Sequence, residues 1–192
     1  MIQIDGRHLQ INDVVSVARY GEKVEISPEG KENLEKSRQV LNRIIKSDRA
    51  VYGINTGFGI FSEKRIPTED SNRLSRNLIL SHAVAVGEAL PAEIVRAAML
   101  VRANTLVKGF SGVRPEVPQT LIEMLNKRVT PVVPQQGSLG SSGDLSPLSH
   151  LALVFTTDHA DLEEESGWAE YEGEILTGKK AMEKAGIPRL IL

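Results

Sequence analysis

The sequence predicts a mainly α-helical fold with a few short strands. Three observations point there. Prolines at 28, 67, 91 and 115 each open an apolar pattern of helical spacing, in the first turn where a missing N–H costs nothing. Only two short stretches near the start, Gln3-Ile4 and Val24-Glu25-Ile26, read as strands. Hydrophobic residues make up 41% of the chain but aromatic ones only 4%, so the core is mostly aliphatic.

Residues 1–26 read as small strands around a helix over Ile11–Ala18. Ser27 then supplies a hydroxyl N-cap and Pro28 a first helical residue, for a helix running to Lys46 with Leu34, Leu41, Ile44 and Ile45 on one side. A glycine-rich loop follows, Tyr52-Gly53-Ile54-Asn55-Thr56-Gly57-Phe58-Gly59. The helix opened by Pro67, with Glu69 and Asp70 in its first turn, carries Leu74, Leu78 and Ile79 towards Ser81 and His82. The helix after Pro91 places Ile94, Ala98, Val101 and Leu106 on its apolar stripe and stops at Gly109. The helix after Pro115 turns Val117, Leu121, Ile122, Met124 and Leu125 inward, and another begins near Asp144 or Ser146. Residues 158–174 are crowded with Asp and Glu and read as an acidic loop or hairpin insertion, solvated, with Tyr171 and Ile175 attached to the body. A short helix over 178–185 and an apolar tail over 188–192 complete the chain, which is expected to have been cut before a further element.

At 192 residues the chain is expected to form a single domain. A net charge of −2 without a dense basic patch argues against nucleic acid as a partner. Cysteine is absent, which excludes disulfides and thiolate metal sites. The N-terminus lacks a signal-peptide pattern, and no apolar run approaches the ~18 residues that span a membrane. A cytoplasmic protein without a membrane partner is the expectation.

Several motifs are candidates for chemistry. Gly53, Gly57 and Gly59 do not have the dinucleotide-binding spacing, which leaves Tyr52 at the mouth of a glycine-rich loop, as a packed tyrosine or as a base. His82 ends an apolar helical run and shows no ligand spacing with His8, His150 or His159, so no metal site is expected. The densest glycine–serine cluster, residues 137–147, lies between apolar segments. It reads as a turn with a helix cap, as an anion-binding nest, or as a site of internal chemistry. In the third reading the Gly143 amide nitrogen attacks the Ser141 carbonyl carbon, a bend that glycine permits. Loss of two waters, one of them from the Ser142 side chain, would leave a conjugated alkene.

Gln135-Gln136-Gly137-Ser138-Leu139-Gly140-Ser141-Ser142-Gly143-Asp144-Leu145-Ser146-Pro147-Leu148-Ser149-His150 closely resembles the signature of the aromatic amino-acid ammonia-lyases, which build a 4-methylidene-imidazol-5-one (MIO) group from Ala-Ser-Gly. The Tyr52 loop resembles that family's catalytic tyrosine loop. Asn77-Leu78-Ile79-Leu80-Ser81-His82-Ala83 is similar to the segment of its histidine-specific branch. Arg102-Ala103-Asn104-Thr105-Leu106 and residues 109–115 are also family-like.

The resemblance implies the N-terminal domain of the fumarase/aspartase-like helical superfamily, without its long central-bundle helices. It implies MIO formed from Ser141, Ser142 and Gly143, with Asp144 supporting the loop. Tyr52 would be the base, Ser142 the source of the electrophile and His82 the substrate-binding residue. The reaction would be elimination of ammonia from L-histidine to give urocanate, without a diffusible cofactor. A tyrosine lyase or an aminomutase is the alternative enzyme. A non-catalytic fragment, or a split subunit that needs a partner chain, is the alternative of another class. Ser141 stands where the family has alanine, the acidic stretch around 158–167 departs from its pattern, and the later asparagine, tyrosine, arginine and glutamate of the family's site are not in the chain. Without that missing part the domain is expected to be inactive, and its expected partner is a further copy of itself, in a homo-oligomer, or a complementary C-terminal chain.

Overall fold

The computed structural model describes residues 1–47, 49–140, 143–158 and 161–192, without the side chains of Thr68 and Glu69. The first part contains β1 (Ile2–Ile4), α1 (Ile11–Ala18), β2 (Val24–Ile26), α2 (Pro28–Ile45), α3 (Thr68–His82) and β3 (Val86–Ala89). Next come α4 (Ala92–Val107), α5 (Glu116–Lys127), β4 (Thr130–Pro131), β5 (Pro134–Gln136) and α6 (Leu145–Phe155). The last part holds β6 (Thr156–Thr157), β7 (Trp168–Tyr171), β8 (Glu174–Thr177), α7 (Gly178–Lys184) and β9 (Leu190–Ile191). Short 3-10 turns occupy Gly59–Phe61 and Glu163–Ser166. The fold is mainly helical, as the sequence predicts. Among the described residues no helix is long and apolar enough to cross a membrane.

The helix starts follow the sequence signals. The Ser27 hydroxyl accepts a hydrogen bond from the Gly30 amide at 3.0 Å, with Pro28 as the first residue of α2. Pro67, Pro91 and Pro115 each stand immediately before the first residue of α3, α4 and α5. The strands, by contrast, are short ladders that tie distant segments together. β1 pairs in parallel with β2, β3 antiparallel with β5, β4 and β8 flank β7, and β6 pairs in parallel with β9.

The core is built around α4, packed between α1 and α5. Its buried side is Val95, Met99, Leu100, Ala103, Leu106 and Val107. Leu106 of the predicted stripe is buried, but the rest is corrected, since Ile94 and Val101 are each 48% exposed and Ala98 also faces outward. So many apolar residues surround this helix that spacing alone selects the wrong face. On α5, Leu121, Ile122, Met124 and Leu125 are buried as expected. Arg96 lies inside this core. Its guanidinium donates to the carbonyls of Val17, Ala18 and Leu125, placing a cation at the negative ends of α1 and α5.

The acidic stretch differs from its sequence reading. It does contain a hairpin, β7–β8, and Tyr171 packs on the core, but Ile175 is 59% exposed. Asp161 and Ser166 are buried rather than solvated. Asp161 receives two hydrogen bonds from Arg76 of α3, at 3.0 and 2.5 Å, and lies 3.6 Å from Arg189. Arg76 also donates to Thr156 Oγ1 and the Glu165 carbonyl, while Arg189 donates to the carbonyls of Leu153, Val154 and Thr156. The stretch is a strap that joins α3 to the end of α6.

Candidate active site

Residues 137–144 lie between β5 and α6, whose first turn holds residues 145–147. The ladder with β3 sets the entry, where Val86 faces Gln136 and Ala89 faces Pro134. At Gly137 a side chain is excluded by close approach, because a Cβ would come within 2.6 Å of Ala85 Cβ and 2.9 Å of Ser146 Oγ. Gly140 and Gly143 have φ of +73° and +84°, the left-handed region that glycine enters without strain, and open space surrounds both. Ser141 and Ser142 lie outside the described residues. Asp144 occupies the N-cap position of α6, yet its carboxylate makes no capping bond. Instead Oδ1 accepts from Ser138 Oγ at 2.5 Å, closing the loop on itself around Gly140 and Gly143.

His82 is the last residue of α3 and is half-buried. Its Nδ1 is 2.8 Å from the Leu78 carbonyl and 3.1 Å from Ser81 Oγ. A carbonyl only accepts, so Nδ1 carries the proton and Nε2 keeps a lone pair in the neutral ring.

The structure brings His82 and the serine–glycine loop together through Ala85. The chain turns sharply after α3, with the Val84 amide donating to the His82 carbonyl at 2.9 Å. Ala85 then packs against Gly137 at the loop entry, and its amide donates to Nε2 of His150 on α6 at 3.1 Å. Ser146 and His150, four residues apart, share the α6 face that meets this corner. Ser146 Oγ is buried there and has no hydrogen-bond partner among the described residues. In the sequence His150 stands out only as the last residue of the family-like signature and as a histidine without metal-ligand spacing. The signal that identifies it is its position one helical turn beyond Ser146, on the face of α6 turned to the loop entry.

Tyr52 is not brought to this corner. It is 63% exposed, stacks edge-on to Phe58 with ring centroids 5.9 Å apart, and borders a groove of about 590 Å³ lined otherwise by Ala50, Gly59, Ser62 and Glu63. That lining comes from its own loop, and among the described residues no hydrogen bond or ring contact joins Tyr52 to His82 or to residues 137–147. Burial lowers the pKa of His150 below the usual imidazole value, which favours the neutral ring that the Ala85 bond requires.

Comparison with known proteins adds ancestry to this geometry. Residues 9–192 match the profile of the family described as aromatic amino acid lyase. The histidine ammonia-lyase of Caldanaerobacter subterraneus subsp. tengcongensis is 51% identical over 191 residues, a match covering 100% of this chain and 36% of the relative. Among solved structures, ergothionase from Treponema denticola superposes with a TM-score of 0.89 at 34% identity, covering 98% of this chain and 36% of that one. Histidine ammonia-lyase from Trypanosoma cruzi does so with a TM-score of 0.86 at 32% identity, covering 100% and 35%. The chain thus spans about 36% of the length of the curated relative it matches.

Proposed function

The chain belongs to the aromatic amino acid lyase family, and from that premise we propose that it is the N-terminal part of a histidine ammonia-lyase, which eliminates ammonia from L-histidine to give urocanate. The observation that carries this reading is the corner at Ala85, where the end of the His82 helix meets the entry of the serine–glycine loop and the helix that follows it. The 51% identity to a protein of that name supports the choice of substrate.

The described flanks of the loop fit an MIO group formed from Ser141, Ser142 and Gly143. Left-handed Gly140 and Gly143 permit the bend, and the Ser138–Asp144 bond holds it closed. When formed, this group supplies an electron-withdrawing alkene. His82, with Nε2 free to accept, takes an N–H of the substrate ring. The Tyr52 phenolic oxygen takes the β-proton. The electron pair of that C–H bond becomes the new double bond as the Cα–N bond breaks and ammonia leaves. For this Tyr52 must approach His82, which its loop achieves in an assembly with a further copy or a complementary C-terminal chain. A cytoplasmic location fits the cysteine-free composition.

Intact-mass spectrometry tests the reading directly. The chain is expected to be lighter by two waters, with the deficit confined to a peptide spanning residues 141–143 and absent in Ser142→Ala. With a C-terminal companion supplied, L-histidine should yield urocanate, followed by its ultraviolet absorbance, while L-tyrosine and L-phenylalanine should not react. An assembled protein of unmodified mass that leaves L-histidine unchanged would overturn the proposal.

A further inference from the structure

We propose that His150 is a positioning residue of this site: its unprotonated Nε2 holds the Ala85 amide and so fixes the end of the His82 helix against the helix fed by the serine–glycine loop. What is positioned rests on the lyase reading; the clamp itself does not.

The need for a clamp follows from the backbone. α3 stops at His82 and pairing with β5 resumes at Val86, so residues 83–85 form a short bridge between two fixed elements. The Ala83 and Val84 amides are satisfied within the helix end, by the carbonyls of Ile79 and His82. The Ala85 amide is part-buried and receives nothing from that turn or from the ladder; its acceptor is His150 Nε2 at 3.1 Å. An amide only donates, so the ring nitrogen facing it must be bare and the proton must sit on Nδ1. On its other side Ala85 leaves no room for a side chain on Gly137. One residue, three positions after His82, is thereby held between the loop entry and the helix that the loop feeds. A phenylalanine at 150 would fill similar space and leave the amide without an acceptor, whereas glutamine offers a carbonyl oxygen.

The test is made on the full chain by NMR, with His150→Phe and His150→Gln beside the unaltered protein. Protection of the Ala85 amide against hydrogen exchange should fall about tenfold in the Phe variant and return in the Gln variant. The His82 ring signals should move and return with it. Equal protection in all three proteins, or His82 signals indifferent to both changes, would overturn the proposal. Should His150→Phe not fold, the nitrogen spectrum of the unaltered protein decides, because a proton found on Nε2 of His150 excludes the clamp. Intact mass, recorded with L-histidine turnover, separates the two readings. A protein assembled with its C-terminal companion that lacks the two-water deficit and leaves L-histidine unchanged, yet shows the clamped Ala85, contradicts the lyase reading and leaves the clamp standing.

Discussion

Among the described residues the buried Ser146 hydroxyl has no partner, and a hydroxyl stripped of water in this way costs stability that a methyl group would not. Ser146→Ala should therefore raise the free energy of unfolding by about 1 kcal/mol, read from the urea midpoint. An unchanged or lower midpoint would mean that the hydroxyl is satisfied in solution. His150 gives a second test, on pH. Burial holds its folded pKa below the ordinary imidazole value of about 6.5, so the unfolded chain binds the proton more readily. Its contribution to stability is complete above that value and is lost as pH falls through the folded pKa. The urea midpoint should be level from pH 8 to 7 and decline from about 6.5 towards 5, with a shallower decline in His150→Gln. Parallel declines in both proteins would assign the effect to other groups. Gly137 is as informative, since no sequence rule distinguishes a glycine required for contact with Ala85 from one required for a turn.

Among the elements, the strap over residues 161–166 has the largest energetic consequence. Arg76 and Arg189 are both mostly buried and share one carboxylate, Asp161, while the Thr156 hydroxyl and backbone carbonyls accept further N–H groups. Asp161→Ala leaves two guanidinium groups without an anion in the gap between α3 and α6, and should cost about 3–5 kcal/mol. Glu174→Gln, which breaks the exposed pair with Lys184, should leave the unfolding midpoint nearly unchanged. A small loss for Asp161→Ala would mean that water reaches the pair. Composition cannot distinguish these carboxylates, because the partner of Asp161 lies 85 residues earlier. What was legible was local. The Ser27–Pro28 start, the proline-led helices and the inward face of α5 are each set by neighbours in sequence. The face of α4, the burial of Arg76 and the role of His150 are set by elements far along the chain. In the site, the left-handed backbone at Gly140 and Gly143 could be anticipated from residue type, whereas the Ala85 corner could not, because it needs the register of β3 on β5.

Across the whole molecule, stability is unevenly distributed, and the candidate site straddles the boundary. Leu100, Ala103, Leu121, Ile122 and Met124 pack α4 and α5 with at most 1% exposure, while in the Tyr52 loop Ile60 is 93% and Phe61 53% exposed. That loop is closed by a few hydrogen bonds, from the Gly57 amide to Lys64, from Ile66 to Asn55, and between Asn55 Oδ1 and the Val51 amide. Segments with so few buried apolar contacts open locally at low free energy, while core helices open only with the whole fold. Trypsin under native conditions should therefore cut first within residues 49–66, after Arg49 or Lys64, and leave α4 and α5 intact in the earliest products. Mass spectrometry of a time course reads this directly, and first cuts at Arg102 or Lys127 would show that stability is not divided in this way. The same loop must bring Tyr52 to His82 if the chain is a lyase. A companion chain that completes the site should accordingly slow cleavage after Lys64 while leaving the order of later cuts unchanged.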